Sequence, residues 1–394
     1  MRSFDHDVAI VGGGPAGAST ALHLVRDQGI RADRIVLLDK ARFPRDKPCA
    51  GAVSQVGVDA LRALGVSLDV PFVPIRGVRV TWKGTVGETA CAMGIVVRRI
   101  EFDAHLVGEA RADGVVVRDG EALSDIEAIA GGSRLRTSAG VLTARLVAGC
   151  DGAGSVTRRL LGLREPGRKG HLYVLDTPET PSDEATARGF IDFDLSVVED
   201  GLQGYTWEFP TLIDGARYVS RGIYHANLAP GAEVKASLAR ALARRGIDIA
   251  SVVLRPFATR PFVAGGALAR GGVILVGEAA GIDRATGEGI GQAIIMGAIA
   301  ARHLARSLRT GGACFDGYAR AVHASTMGRH MLQSARLARH VYGAAGHPAR
   351  RLLLESPFAR EAAMRWYNGQ ALPWSTKVRL AAGLASRAFV GRQS

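Results

Sequence analysis

The chain has 394 residues, 47% of them hydrophobic, and a formal net charge of +13, which suits two or three domains or one large composite with a real core. No run reaches the roughly 18 uncharged apolar residues of a membrane-spanning helix, and the N-terminus enters a strand at once instead of passing through a signal peptide, so a soluble cytoplasmic protein is expected. Cys49, Cys91, Cys150 and Cys314 are scattered without metal-type spacing, which argues for reduced thiols over disulfides or a zinc site, and no histidine spacing suits a metal.

Residues 7–11 form a short apolar run of strand type, followed directly by Gly12-Gly13-Gly14-Pro15-Ala16-Gly17 and a helix-compatible pattern over 19–26. Gly12 allows the tight turn, Gly14 lets the backbone approach a phosphate, and Gly17 permits close packing of helix on strand. The N-terminus of that helix then faces a pyrophosphate. A second strand over 34–38 ends at Asp39, where an acid accepts hydrogen bonds from an adenosine ribose. Strand, glycines, helix, strand and acid in this order predict a dinucleotide site, to which Lys40 and Arg45 are added as binding residues.

The loop 43–51 leads to a helix near 57–64, and strand-like runs follow at 78–82, 115–117, 135–137 and 144–147. A strand-rich stretch covers 189–224, in which Phe190, Asp192 and Asp194 alternate with Ile191, Phe193 and Leu195 as on a half-buried strand. A helix over 234–244, a buried parallel-type strand at 273–276 and a long helix over 288–309 come next, and the remainder reads as helical. Two further glycine signatures sit mid-chain and late: Cys150-Asp151-Gly152-Ala153-Gly154-Ser155 and Gly277-Glu278-Ala279-Ala280-Gly281. In a doubly wound sheet the loops after such strands open on one crevice, so the three signatures together point to a single bound FAD.

These residues resemble flavoproteins of the p-hydroxybenzoate-hydroxylase-like fold, and among them the geranylgeranyl reductase family, over most of the chain up to about residue 310. Residues 147–158 are similar to the family's internal Asp-Gly signature, which implies FAD contacts for Asp151 and Gly152 and a part in admitting a nicotinamide donor. Arg99 with Phe102, Asp103 and Leu106 resembles its arginine segment, which places Arg99 beside the cofactor. The segment Asp46-Lys47-Pro48-Cys49-Ala50-Gly51 resembles the loop that sets a cysteine near the flavin ring. Tyr205-Thr206-Trp207-Glu208-Phe209-Pro210 resembles the family's Tyr-x-Trp-x-Phe-Pro signature on a strand roofing the catalytic cavity. Two departures stand out: Glu278 replaces the usual aspartate before a loop one residue short and without its proline, and Ala50 replaces a glycine, restricting the backbone there.

The implied fold is α/β, a Rossmann-like FAD-binding domain with an inserted antiparallel β-sheet substrate domain and a C-terminal helical region. Residues 1–73, 97–165 and 258–312 are assigned to the first, 74–96 and 166–257 to the second, and 313–394 to the third. Tyr205, Trp207 and Phe209 alternate, so they share one strand face, and with Cys49 they are the expected catalytic residues. The glycine turn Gly287-Glu288-Gly289 before Ile290 is expected to aim backbone N–H groups at the pyrimidine end of the flavin.

The expected reaction is hydride delivery from reduced flavin N5 to a carbon–carbon double bond of a hydrophobic isoprenoid, with protonation following. No second complete GxGxxG unit is present, so NAD(P)H or a small electron carrier is expected to bind transiently. An FAD monooxygenase, a flavin halogenase and a non-enzymatic prenyl-binding escort are the alternatives. The last hundred residues hold fifteen Lys and Arg against Asp316, Glu355 and Glu361, which places twelve of the thirteen net positive charges there. Such a face is compatible with peripheral contact on anionic lipid, whereas no motif for nucleic acid accompanies it.

Overall fold

The computed structural model describes residues 4–228, 231, 233–312 and 315–390, with side chains to 388; Cys314 lies outside the described residues. Two eight-stranded sheets organise it. The first runs, in spatial order, through Ala269–Arg270, Val273–Leu275, Gly140–Gly149, His6–Val11, Ile35–Asp39 and Val116–Asp119, with the strands Gly132–Thr137 and Leu123–Ile129 appended antiparallel to Gly140–Gly149. Its central pairings are parallel. Val8, Ala9, Ile10 and residues 35–38 are wholly buried, because both faces of this sheet are covered, and that is why these strands read as unbroken apolar runs.

Three of these strands end side by side. The Cys150 amide donates to the Val11 carbonyl at 2.7 Å, and the Val276 amide to the Gly149 carbonyl at 2.9 Å. The loops beginning at Gly12, Cys150 and Val276 therefore leave the sheet at the same edge, although 264 residues separate the first from the last.

The second sheet is ordered Arg255–Thr259, Gly170–Pro178, Ala216–His225, Gly204–Ile213, Phe190–Asp194, Phe72–Trp82, Thr85–Val97 and Ala52–Ser54. It is antiparallel except where Phe190–Asp194 runs parallel to Phe72–Trp82. Ala52–Ser54 joins this sheet from within the range 1–73, so that range contributes strands to both sheets. The alternation at 190–195 suggests a half-exposed strand, yet Asp192 is buried. The helix Val234–Ala243 lies over the outer face there, with Leu238 and Leu242 in the apolar cluster beneath it.

Two helix contacts position the site. The helix Ile290–Thr310 crosses Pro15–Arg26 where Gly297 meets Ser19, whose hydroxyl donates to the Ile294 carbonyl at 2.8 Å. It crosses Gln55–Ala63 where a Cβ on Gly57 would lie 2.8 Å from the Gly291 Cα. Beyond residue 325 the helices Thr326–Tyr342, His347–Glu355 and Pro357–Tyr367 lay Ala338, Tyr342, Leu354 and Met364 into the core of the second sheet. In the last helix, Trp374–Val390, none of the residues whose side chains are described is buried.

Candidate active site

A cavity of about 550 Å³ opens between the two sheets. Gly12, Gly14, Pro15, Ala16, Asp39, Lys40, Arg45, Cys49, Ala50, Arg99, Asp151, Gly152, Glu278, Gly287, Glu288, Gly289 and Ile290 line it, together with Tyr205, Trp207 and Phe209. Of the residues expected at the site, Gly17 and Gly277 stand behind the wall. A Cβ on Gly17 would come within 1.8 Å of the Gly12 carbonyl oxygen, and one on Gly277, at φ +63°, within 2.6 Å of the Ala16 Cβ. Both glycines act by letting backbones meet.

At the first signature the helix Pro15–Arg26 begins without a side-chain cap and without an acid in its first turn. Added at Gly14, a Cβ would point into open space whose nearest atoms are guanidinium nitrogens of Arg45 and Arg99, at 3.6 and 3.8 Å. Arg99 forms a bidentate pair with buried Asp103, both contacts at 2.7 Å, and Arg45 reaches Asp103 at 3.0 Å. An uncapped helix N-terminus with two fixed guanidinium groups suits a diphosphate. Asp39 accepts from the Gly13 amide at 2.8 Å and the Ala41 amide at 2.9 Å, so it also shapes the glycine turn.

Asp151 is committed within its own loop. Its carboxylate accepts from the Ser155 hydroxyl, the Thr157 amide and the Thr157 hydroxyl at 2.5, 2.8 and 3.0 Å, bracing the helix Val156–Leu160. Arg260, 1% exposed, ties this loop to the late signature. It donates to the Gly152 carbonyl at 3.2 Å and the Ala153 carbonyl at 2.6 Å, and to the Glu278 carbonyl at 2.7 Å, while its other edge pairs with Glu165. The Glu278 carboxylate accepts from the Arg260 amide. Burial pushes the Glu278 carboxyl up and, with neighbouring Arg99, pushes the Lys47 ammonium down.

The late loop is held by groups that sequence reasoning did not single out. Buried Asp283 accepts from the Tyr224 hydroxyl at 2.7 Å, from the Thr259 hydroxyl, and from the Ala285 amide at 2.9 Å. Ala285 sits at φ +63° and Gly287 at +73°, and this turn brings Gly289 to the uncapped start of the helix Ile290–Thr310. Arg284 is wholly buried, 3.0 Å from Glu288 and 3.0 Å from His330, with its guanidinium 4.9 Å from the Tyr367 ring centre. The C-terminal helices thus close the cavity, and Tyr367 lines it.

Tyr205, Trp207 and Phe209 do share one face of Gly204–Ile213. The Tyr205 hydroxyl donates to the Thr286 carbonyl at 2.7 Å, which fixes the late loop against this wall. Phe193 packs edge-on against Tyr205 at 4.9 Å and Phe209 at 5.4 Å. Opposite Trp207 stands Gly222, where a Cβ would be 2.3 Å from the indole ring. Leu172 and Phe257 extend the apolar lining, and the Lys47 ammonium lies 4.5 Å from the Phe257 ring centre. Cys49 is half-buried and accepts from the Gly51 amide at 3.4 Å. The left-handed backbone falls at Gly51, φ +83°, and not at Ala50, so the alanine introduces no strain.

Lys47, Arg260, Asp283 and Tyr367 were not expected at the site. Lys47 lay inside the quoted loop. Arg260 and Tyr367 stand in no glycine signature, so only the fold reveals them.

The model of the family described as FAD binding domain matches residues 5–327. An uncharacterised protein of Methanosarcina barkeri is 25% identical over 310 residues, 78% of this chain and 76% of that one. A menaquinone reductase of Mycolicibacterium smegmatis is 32% identical over 171 residues, 40% of each. In fold, the chain is similar to a geranylgeranyl bacteriochlorophyll reductase-like protein of Thermoplasma acidophilum, with a TM-score of 0.75 and 20% identity, covering 96% of this chain and 99% of that one. Solved flavin-dependent halogenases share the fold at TM-scores of 0.63 to 0.68. With glycine loops, guanidinium pair and helix N-termini converging on one cavity, and the family match running through all of them, this chain belongs to the FAD-binding-domain family of FAD-dependent oxidoreductases.

Proposed function

We propose that the protein reduces carbon–carbon double bonds of an isoprenoid or polyprenyl substrate. The observation that carries this reading is the apolar wall of Tyr205, Trp207, Phe209, Leu172 and Phe257, which faces the glycine loops across one cavity. An apolar, aromatic surface of this kind suits a polyene and offers little to a charged molecule.

FAD, when bound, supplies the hydride from its reduced ring. Gly12, Gly14, Pro15 and Ala16, with Arg45 and Arg99, would hold the diphosphate, Asp39 and Lys40 the adenosine ribose, and Asp151, Gly152 and Glu278 the ribityl side. Gly287, Glu288, Gly289 and Ile290 would present the helix N-terminus to the pyrimidine end, with Cys49 and Ala50 beside the ring. Tyr205, Trp207 and Phe209 orient the substrate and exclude water, and Lys47 holds a proton at Nζ near their wall. Reducing equivalents arrive from NAD(P)H or a small carrier that binds transiently.

Anaerobic incubation of reduced protein with polyprenyl alcohols, diphosphates and quinones, followed by mass spectrometry, tests the reading. Products heavier by two hydrogens support it. Unchanged polyenes, together with oxygen-dependent hydroxylation of an aromatic ring or halide incorporation, contradict it, as does purified protein that refuses FAD.

A further inference from the structure

The helix Trp374–Val390 rests on the molecule along one side only. A Cβ on Gly383 would stand 3.1 Å from a Leu352 methyl, and Arg387 donates to Glu355 at 2.9 Å, so Gly383 and Arg387 mark the inner side. At about 100° per residue, Trp374, Val378, Ala381 and Ala385 fall on the opposite side, and all four are exposed. Trp374 is 78% and Val378 50% accessible.

A surface helix ordinarily turns polar residues outward. This one turns a tryptophan and a valine outward beside Lys377, which has no acidic partner among the described residues, while Arg379 falls on the inner side with its guanidinium 3.9 Å from the Phe358 ring centre. No acid follows Glu361 in the sequence, while five Lys and Arg do. The charge also separates the candidate occupants. A second copy would bring two faces of the same sign together, which repel, whereas a bilayer with anionic headgroups complements the charge and accepts the indole at its interface.

We propose that the helix Trp374–Val390 docks the protein on an anionic lipid bilayer, with Trp374 and Val378 at the boundary of headgroups and acyl chains and Lys377 on lipid phosphates. Docking would place the enzyme where a polyprenyl substrate resides. It complements the proposed reductase activity, and it is read without turnover, so the two readings fail separately.

The experiment sediments the full-length FAD-loaded protein with vesicles of phosphatidylcholine alone or mixed with phosphatidylglycerol, and compares the wild type with the double variant Trp374→Ser/Val378→Ser. Both side chains are exposed, so visible flavin absorption and elution volume should stay unchanged, which confirms the fold. The expected result is sedimentation of wild type with the mixed vesicles, release by salt, and partitioning of the variant reduced about tenfold. Wild type left in the supernatant, binding equal on neutral vesicles, or equal binding by both proteins would overturn the proposal. A concentration-dependent dimer of the wild type, lost in the variant, would assign the face to a second copy instead.

Discussion

Asp192 shows how one buried residue makes stability depend on pH. It is 5% exposed, one carboxyl oxygen has no hydrogen-bond partner among the described residues, and burial pushes its pKa up from 3.8 to about 7, with Glu208 adding repulsion. The folded pKa lies above the unfolded one, so the folded protein binds more protons between those values. This contribution is favourable at low pH and is lost as pH rises through 7. Asp192→Asn should therefore raise the melting temperature at pH 8, by a stabilisation of at most about 4 kcal/mol, and bring no gain near pH 4. Thermal melts at both values check this; an equal shift at each would contradict it. In the proposed reduction, Lys47 would work in the opposite sense. With its ammonium pushed down by burial and Arg99, proton supply from Nζ should fail at a pH below the ordinary lysine range. Lys47→Met should cut turnover about 100-fold and flatten the alkaline limb of the pH profile, while leaving FAD affinity within a few-fold of wild type.

At the scale of elements, the cofactor loops are fastened from outside their own signatures. Arg260 bridges carbonyls of residues 152, 153 and 278, so Arg260→Met leaves these buried acceptors without their donor, at about 1–3 kcal/mol for each one left unsatisfied, while Glu165 keeps Lys169 as a partner. Differential scanning calorimetry and FAD titration should show a lowered melting temperature and weakened FAD binding together. Gly287→Ala should be harsher on FAD than on the fold. Its φ is +73° and the new Cβ would stand 2.7 Å from the Tyr205 hydroxyl, which displaces the turn that starts the helix Ile290–Thr310. The three glycine signatures were legible in the sequence because backbone that must approach a ligand or another strand admits few residue types. The alternating aromatics were legible because a strand sends alternate side chains to one face. Arg260, Asp283 and Tyr367 were not, since a buried polar side chain is recognised only by the partners that surround it. The strand Thr85–Val97 also escaped, as Gly87, Gly94 and small polar residues interrupt its apolar pattern.

Over the whole molecule, the C-terminal helical region is less a tail than a cover. Arg360 donates to the Thr89 hydroxyl at 2.9 Å and the Glu88 carbonyl at 2.9 Å, and Arg284 reaches back from the late loop to His330. The helices between 326 and 367 therefore belong to the core of the second sheet, and the helix Trp374–Val390 does not. Ending the chain at Pro373 should leave melting temperature and flavin content close to wild type, whereas ending it at Ser325 should yield insoluble protein; expression and flavin quantitation of both truncations check this. Segments from both sheets and from the C-terminal helices line one cavity, which is expected to enclose a single cofactor beside the aromatic wall. A crystal structure with FAD tests this directly. It should show the diphosphate at Gly14 between Arg45 and Arg99, and the isoalloxazine between residues 287–290 and the face of Tyr205, Trp207 and Phe209. An isoalloxazine lying outside this cavity, with the aromatic wall facing solvent or filled by side chains, would contradict it.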